Sequence, residues 1–205
     1  MGGLGAVNNL GSGDVLNGGK GFDTLRITDS AGVAMVAQME NIERIGVQGV
    51  GVDSTLNLIN ATGVEQVWNF RTTDGDEIFV NDIQNEVVFG FFDTEGDSNY
   101  DFAGDVNFDG GIAIVAAKTG EAGDLSNIDI DGGNIDAVTG LTVTAIEGDN
   151  FLEVDLPGAT NLDMLTVDGK GNAVLREDID EFETLTMVDS TGLTGMFDID
   201  LGDND

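Results

Sequence analysis

The clearest chemical pattern lies near the amino terminus, where residues 18–26 match the nine-residue pattern G-G-x-G-x-D-x-U-x, in which U is apolar. In this pattern the glycines allow a tight turn, the aspartate and backbone carbonyls face a Ca²⁺ ion, and the apolar residue packs inward. Nine residues earlier the aspartate and the apolar residue recur as Asp14 and Leu16, although Ser12 replaces a glycine. The motif therefore predicts calcium ligation by Asp14, Asp23, Gly19 and Gly21.

A second candidate loop begins at Asp105, where D-V-N-F-D-G-G-I matches the first half of an EF-hand-type loop. In such loops oxygen ligands at alternate positions converge on the ion, and a glycine permits the sharp turn. Here those positions are Asp105, Asn107 and Asp109. Ala116 stands at the twelfth position, where a bidentate acid is expected. A metal site here would need another oxygen ligand, and a solvated turn is the alternative.

Further acidic turns make calcium the expected cofactor of the whole chain. Two of them supply the candidate ligand pairs Asp74 with Asp76 and Asp129 with Asp131. Oxygen ligands without sulfur or imidazole favour Ca²⁺ over softer metals. Each turn alone is also compatible with a hydrated loop, but the 39 Asp and Glu against 7 Lys and Arg, a net charge of -32, favour cation binding by some of them.

The same charge excludes classes of partner and lowers the expectation of catalysis. Binding to nucleic acid or to an anionic membrane surface needs a basic patch. Histidine and cysteine are absent, so the commonest general base and thiol chemistry are missing. Paired carboxylates alone can hydrolyse glycosides, but the seven basic residues are scattered along the sequence. We predict that the chain is not an enzyme.

Trp68, Phe70 and Arg71 form an aromatic and basic cluster that could stack on a sugar. We expect Trp68 and Phe70 to pack in the core instead.

Short β-rich segments bounded by Gly, Asn or Asp must position these residues. Helical patterns are weak, with at most a turn or two over residues 33–45 and 112–117. No apolar run approaches the ~20 residues needed to span a bilayer. The predicted strands are residues 24–27, 77–80, 86–89, 141–144, 164–167 and 184–188.

An internal repeat indicates how the strands are arranged. Residues 56–67 align without gaps to residues 154–165, and an apolar anchor recurs at roughly 18–22 residues. This spacing predicts an all-β fold, a parallel β-solenoid of β-helix or β-roll type, in which each turn buries its apolar face against the next. An antiparallel β-sandwich with evenly spaced strands is the alternative. The proposed anchors are Ile45, Val67, Val88, Phe108, Ile128, Ile146, Leu165 and Leu185.

At residues 14–26 the sequence resembles the repeat-in-toxin (RTX) family of type I secreted bacterial proteins. The remainder is similar in style to the solenoid bodies of surface-layer proteins and large adhesins. The chain departs from the family in carrying only one complete repeat. We expect a β-roll-like start over residues 1–26 and a solenoid body over residues 27–205, together a fragment of a longer protein.

The resemblance implies an extracellular protein of the bacterial cell surface that folds and self-assembles when it binds calcium. The expected partners are copies or neighbouring domains of the same protein and a cell-surface glycan, without nucleic-acid binding or membrane insertion. A calcium-dependent adhesin or carbohydrate-binding module is the first alternative. A polysaccharide lyase or glycosidase is the second.

Overall fold

The computed structural model describes residues 10–108, 111–176 and 184–200. The strands stack in parallel as a β-solenoid of about seven turns. Among the described residues, the only antiparallel pairing is the isolated bridge between Glu121 and Asp124. The predicted all-β solenoid is therefore confirmed, and the β-sandwich alternative is wrong. Residues 33–45 and 112–117 lie in strands and their connections, so the weak helical expectation there was also wrong.

The strands form three ladders that run along the solenoid axis. The first ladder contains β2 (Thr24–Asp29), β5 (Arg44–Gly49), β8 (Gln66–Phe70), β10 (Val88–Thr94), β12 (Gly111–Thr119), the beginning of β14 (Gly140–Asp155), β15 (Met164–Gly169) and β17 (Met187–Leu193). The second contains β3 (Met35–Val36), β6 (Ser54–Asn57), β9 (Glu77–Ile83), β11 (Asp97–Phe102), β13 (Ser126–Gly132), the end of β14, β16 (Asn172–Arg176) and β18 (Phe197–Ile199). The short third ladder contains β1 (Val15–Asn17), β4 (Gln38–Glu40) and β7 (Ala61–Thr62), and a 3₁₀ turn spans Ile135–Ala137.

The repeat found in the sequence has a direct structural meaning. In both copies the same positions point into the core, and an equivalent corner follows the second-ladder strand. The amide of Ala61 donates to the Leu58 carbonyl at 2.8 Å, and that of Ala159 donates to the Leu156 carbonyl at 2.9 Å. The matched inward pairs are Leu56 with Val154, Leu58 with Leu156, Ala61 with Ala159, Val64 with Leu162, and Val67 with Leu165.

The turn length varies more than the sequence suggested. In one inward row of the first ladder, Leu25 pairs with Ile45 near the amino terminus, and Ile114 pairs with Val143 further along. The chain segment between the paired residues is markedly longer in the second case. Two proposed anchors, Ile45 and Val67, lie in this row, and Phe89 takes the place predicted for its neighbour Val88. Leu165 is also buried but belongs to the neighbouring inward row, with Leu141, and Val167 takes its predicted place. The other anchors were wrong: Phe108 lies in a loop, Ile128 belongs to the second ladder, Ile146 is exposed, and Leu185 precedes β17.

The solenoid interior combines an apolar core with a polar row at one corner. Burial of aliphatic and aromatic side chains is the main stabilising term, as each strand directs alternate residues inward. At the corner, the amide of Asn69 donates to the Ser98 hydroxyl at 2.8 Å and accepts from the Thr94 hydroxyl at 3.0 Å. These hydrogen bonds cross from one turn to the next, and all three side chains are buried.

Candidate functional site

Strand alternation directs a set of carboxylates outward from the second ladder. Neighbouring strands in a parallel sheet are about 4.8 Å apart, so residues in register place their side chains close together. We call the outward surface of β9, β11, β13 and the end of β14 the acidic face. Its registered acidic pairs are Glu77 with Asp97, Asp101 with Asp131, and Asp129 with Asp155.

Partial burial and mutual repulsion perturb the ionisation of this face. Desolvation is the larger cause that raises the pKa of Glu77, and the charges of Asp97 and Asp53 raise it further. The pKa of Asp129 is raised in the same way, by desolvation first and then by Asp155 and Asp131. Desolvation and neighbouring acids also raise the pKa values of Asp97 and Asp101. The folded chain therefore holds these charges at a cost in free energy.

Asparagine side chains offset part of this repulsion. The Asn99 amide donates to Asp129 Oδ2 at 2.9 Å, and the Asn127 amide donates to Asp155 Oδ2 at 3.2 Å. The backbone amide of Asn127 also donates to Asp97 Oδ1 at 2.8 Å. The other oxygen of Asp129, Oδ1, is buried without a hydrogen-bond partner in the described part of the chain.

The acidic face supplies pairs of ligands rather than a complete cage. Within residues 10–108, 111–176 and 184–200, no group of three or more acidic side chains is arranged to hold a metal ion. The oxygen chemistry of these pairs suits calcium. A calcium ion here would take two carboxylates, such as Asp129 and Asp155, and complete its coordination with water.

Two of the four predicted ligand groups lie on or beside this face. Asp129 and Asp131 both project from β13. The turn that holds Asp74 and Asp76 precedes β9, and the charge of Asp74 helps to raise the pKa of Asp97. Asp76 Oδ2 accepts from the Gly51 amide at 2.8 Å and from the Thr73 hydroxyl at 2.6 Å, which fixes the turn.

The amino-terminal motif forms the glycine turn that its pattern predicted. Gly19 and Gly21 have φ values of +92° and +115°, a region that favours glycine. However, the two copies of the motif begin different ladders, because β1 pairs with β4 and β2 pairs with β5. Asp14 accepts the nearby Gly11 amide at 2.8 Å, whereas Asp23 Oδ2 is buried without a partner among the described residues.

The loop after β11 alternates like a strand. Val106 and Phe108 are buried, and Phe108 packs edge-on against Phe102 with ring centroids 4.8 Å apart. Asp105 and Asn107 are exposed on the opposite side. The predicted ligand Asp109 lies outside the described residues, and Ala116 is fully buried in β12.

The first ladder carries a surface of which the sequence indicated only the cluster of Trp68, Phe70 and Arg71. Trp68 and Phe70 point outward from β8 and are half-buried, so the expectation that they pack in the core was wrong. The solenoid register places Gly46 between Arg26 and Trp68 on adjacent strands. The scattered arginines therefore meet aromatic rings. We call this surface the arginine–aromatic patch; it consists of Phe22, Arg26, Arg44, Trp68, Phe70, Arg71 and Phe92.

The function of this chain has to be argued from the surfaces described above, because comparison with known proteins identifies no similar protein. No protein-family model, curated protein or solved structure matches this chain. Across the described ranges, no helix has the length and apolar character required to cross a membrane.

Proposed function

We propose that this chain is a structural segment of a secreted bacterial cell-surface protein, in which calcium stabilises the solenoid by binding along the acidic face. The observation that carries the proposal is the stacking of carboxylates on adjacent strands, where desolvation and then neighbouring negative charges raise the pKa values of Glu77 and Asp129. The four ion pairs of the described chain reach none of Glu77, Asp97, Asp101 and Asp129.

The mechanism is electrostatic. A divalent cation between two carboxylates replaces their repulsion with attraction, and its binding free energy adds to the free energy of unfolding when the unfolded chain binds it less well. Two carboxylates and several waters make an incomplete site. Its affinity would therefore fall in the range of extracellular modules, with dissociation constants on the order of 10⁻⁴–10⁻³ M. A site of this affinity binds calcium at the concentrations found outside the cell.

The role that fits this mechanism is a rigid spacer in a surface layer or adhesin, without a catalytic step. Apolar side chains on the last described turns support contact with another part of the same protein or with a second copy. Met187 is 50% exposed and Met196 is 60% exposed. Burial of such side chains favours association.

The test is a calcium titration by calorimetry on chelator-treated protein, with sedimentation velocity at each calcium concentration. We expect millimolar, calcium-specific binding that weakens in a double variant, Asp129→Asn with Asp101→Asn. The matched control is Asp136→Asn, which removes a charge from an exposed 3₁₀ turn. Equal heats for calcium and magnesium, or equal calcium binding by the double variant and the wild type, would contradict the proposed site.

A further inference from the structure

Three of the chain's seven basic residues converge on one surface of the first ladder. Arg71 pairs through Nε with Asp93 at 3.1 Å. Arg26 and Arg44 form no ion pair with any described residue, although the chain has 39 Asp and Glu. In so acidic a protein, two arginines without a carboxylate partner among the described residues indicate a surface that can bind an external anion.

The guanidinium groups are held in place by stacking. Arg44 lies between Phe22 and Trp68, at 5.1 Å from each ring centroid. Its Nε donates to Gln66 Oε1 at 2.7 Å, and the same oxygen accepts from Trp68 Nε1 at 3.1 Å. Because an arginine has five N–H donors, the outer edge of this guanidinium remains able to bind an anion.

A second stack holds Arg26. The Arg26 guanidinium lies 4.0 Å from the centroid of Phe70, and Phe70 stacks on Phe92 with centroids 5.0 Å apart. Stacking on an aromatic face restrains the guanidinium without using its hydrogen-bond donors. Both cations are therefore positioned before a ligand arrives.

A depression with a volume of about 240 Å³ lies between the two stacks, lined by Arg26, Arg44, Trp68 and Phe70. Gly46 lines it too, and the absence of a side chain there keeps the space open. The nearest neighbour of a Cβ added at Gly46 would be Cγ of Arg26, at 3.8 Å. A second depression of about 290 Å³ continues along the strands towards Gln48 and Arg71.

We propose that the arginine–aromatic patch binds an acidic glycan through sugar units that carry a carboxylate or a sulfate. A guanidinium pairs with such a group through two parallel hydrogen bonds, and the exposed aromatic surface packs against the apolar face of the sugar ring. Each depression has the scale of a sugar unit.

This binding is independent of calcium. Asp93, paired with Arg71, belongs to the rim of the patch, and the carboxylates of the acidic face lie on the other ladder. The glycan contact therefore persists in chelator, whereas the calcium effect proposed above does not. Failure of one proposal leaves the other standing.

The test uses Trp68, the only tryptophan of the chain, as a reporter. Its fluorescence is titrated in chelator at low salt with an oligogalacturonate, a heparin-derived tetrasaccharide and neutral maltotetraose, and calorimetry repeats each titration. We expect saturable binding of at least one acidic oligosaccharide and none of maltotetraose. Replacing Arg26→Gln together with Arg44→Gln should weaken binding at least tenfold, and Gly46→Val should abolish it by filling the depression.

The matched control is the double variant Lys118→Gln with Lys170→Gln, which removes the same two positive charges at exposed residues in later turns. It should bind as the wild type does, and circular dichroism melts establish that each variant is folded. No saturable signal with either acidic oligosaccharide, or unchanged binding by folded Gly46→Val, would overturn the proposal. Self-association that disappears in the double arginine variant would also overturn it, because the patch would then serve contact between copies.

Discussion

Replacing Asp129→Asn should stabilise this protein in the absence of calcium. Asp129 faces Asp155 across the ladder and has Asp131 beside it on its own strand; desolvation, and then these two charges, raise its pKa. Asparagine has nearly the same shape and keeps an oxygen for the Asn99 amide, which now donates at 2.9 Å. Its amide group would occupy the position of Oδ1, which has no hydrogen-bond partner among the described residues.

The size of the effect follows from the spacing of the strands. Two unit charges about 5 Å apart repel by about 0.8 kcal/mol in water and by about 3 kcal/mol at an effective dielectric constant of about 20. Asp129 is partly exposed, so the gain lies near the lower end, at about 1–2 kcal/mol in low salt. For a chain of this length, that corresponds to a rise in melting temperature of about 2–8 °C.

The assay is thermal unfolding by circular dichroism in chelator, at low and at high sodium chloride. The gain should shrink in high salt, because salt screens the repulsion that the variant removes. It should shrink or reverse in calcium, because the variant loses a ligand that the wild type retains. Asp136→Asn serves as the control for net charge. A melting temperature at or below that of the wild type in chelator would refute the reasoning, as would a gain that high salt leaves unchanged.

Three further predictions concern the core, the patch and the response to acid. Asn69→Ala removes buried hydrogen bonds to Ser98 and Thr94 and should lower the free energy of unfolding by about 2–4 kcal/mol. Urea titrations measure this loss, and a loss below about 1 kcal/mol would contradict the stabilising role of the polar corner. Gly90→Ala places a Cβ 2.0 Å from the Trp68 indole and should displace that ring, seen as a red shift of tryptophan emission; an unchanged spectrum would argue against this packing. The free energy of unfolding should rise as the pH falls from neutral through the raised pKa values of the four acidic-face carboxyls, because the folded state binds these protons more tightly than the unfolded state does. The gain should be complete below the ordinary pKa values of 3.8 for Asp and 4.5 for Glu. Denaturant titrations in chelator at several pH values measure it, and a free energy of unfolding that only falls as the pH is lowered would count against the acidic face.

The sequence predicts this fold where its repeat is regular. Residues 56–67 and 154–165 share their inward positions, and all six predicted strands lie within or overlap observed strands. The anchors predicted in the middle turns were wrong because the turns differ in length. The core determines which residues stack, and the corners accommodate connections of different length. The long turn from Ile114 to Val143 cannot be located by counting a regular period.

The candidate sites depend on register, and this explains which of them were missed. Asp129 and Asp131 were found as an acidic turn, but their pairing with Asp155 and Asp101 follows only from the strand alignment. Arg26 and Trp68 are distant in sequence, and two successive steps of the first ladder bring them together. Extending the anchor row from Ile45 and Val67 back to Leu25 would have revealed the arginine–aromatic patch, because the neighbours of these anchors then fall into register.

The central claim is that calcium stabilises this solenoid through its acidic face. The most direct measurement is the melting temperature of chelator-treated protein as calcium is added, compared with magnesium at equal ionic strength. We predict a continuous, calcium-specific rise at millimolar concentration that is smaller in the variant Asp129→Asn. Identical curves for calcium and magnesium, explained by ionic strength alone, would contradict the claim.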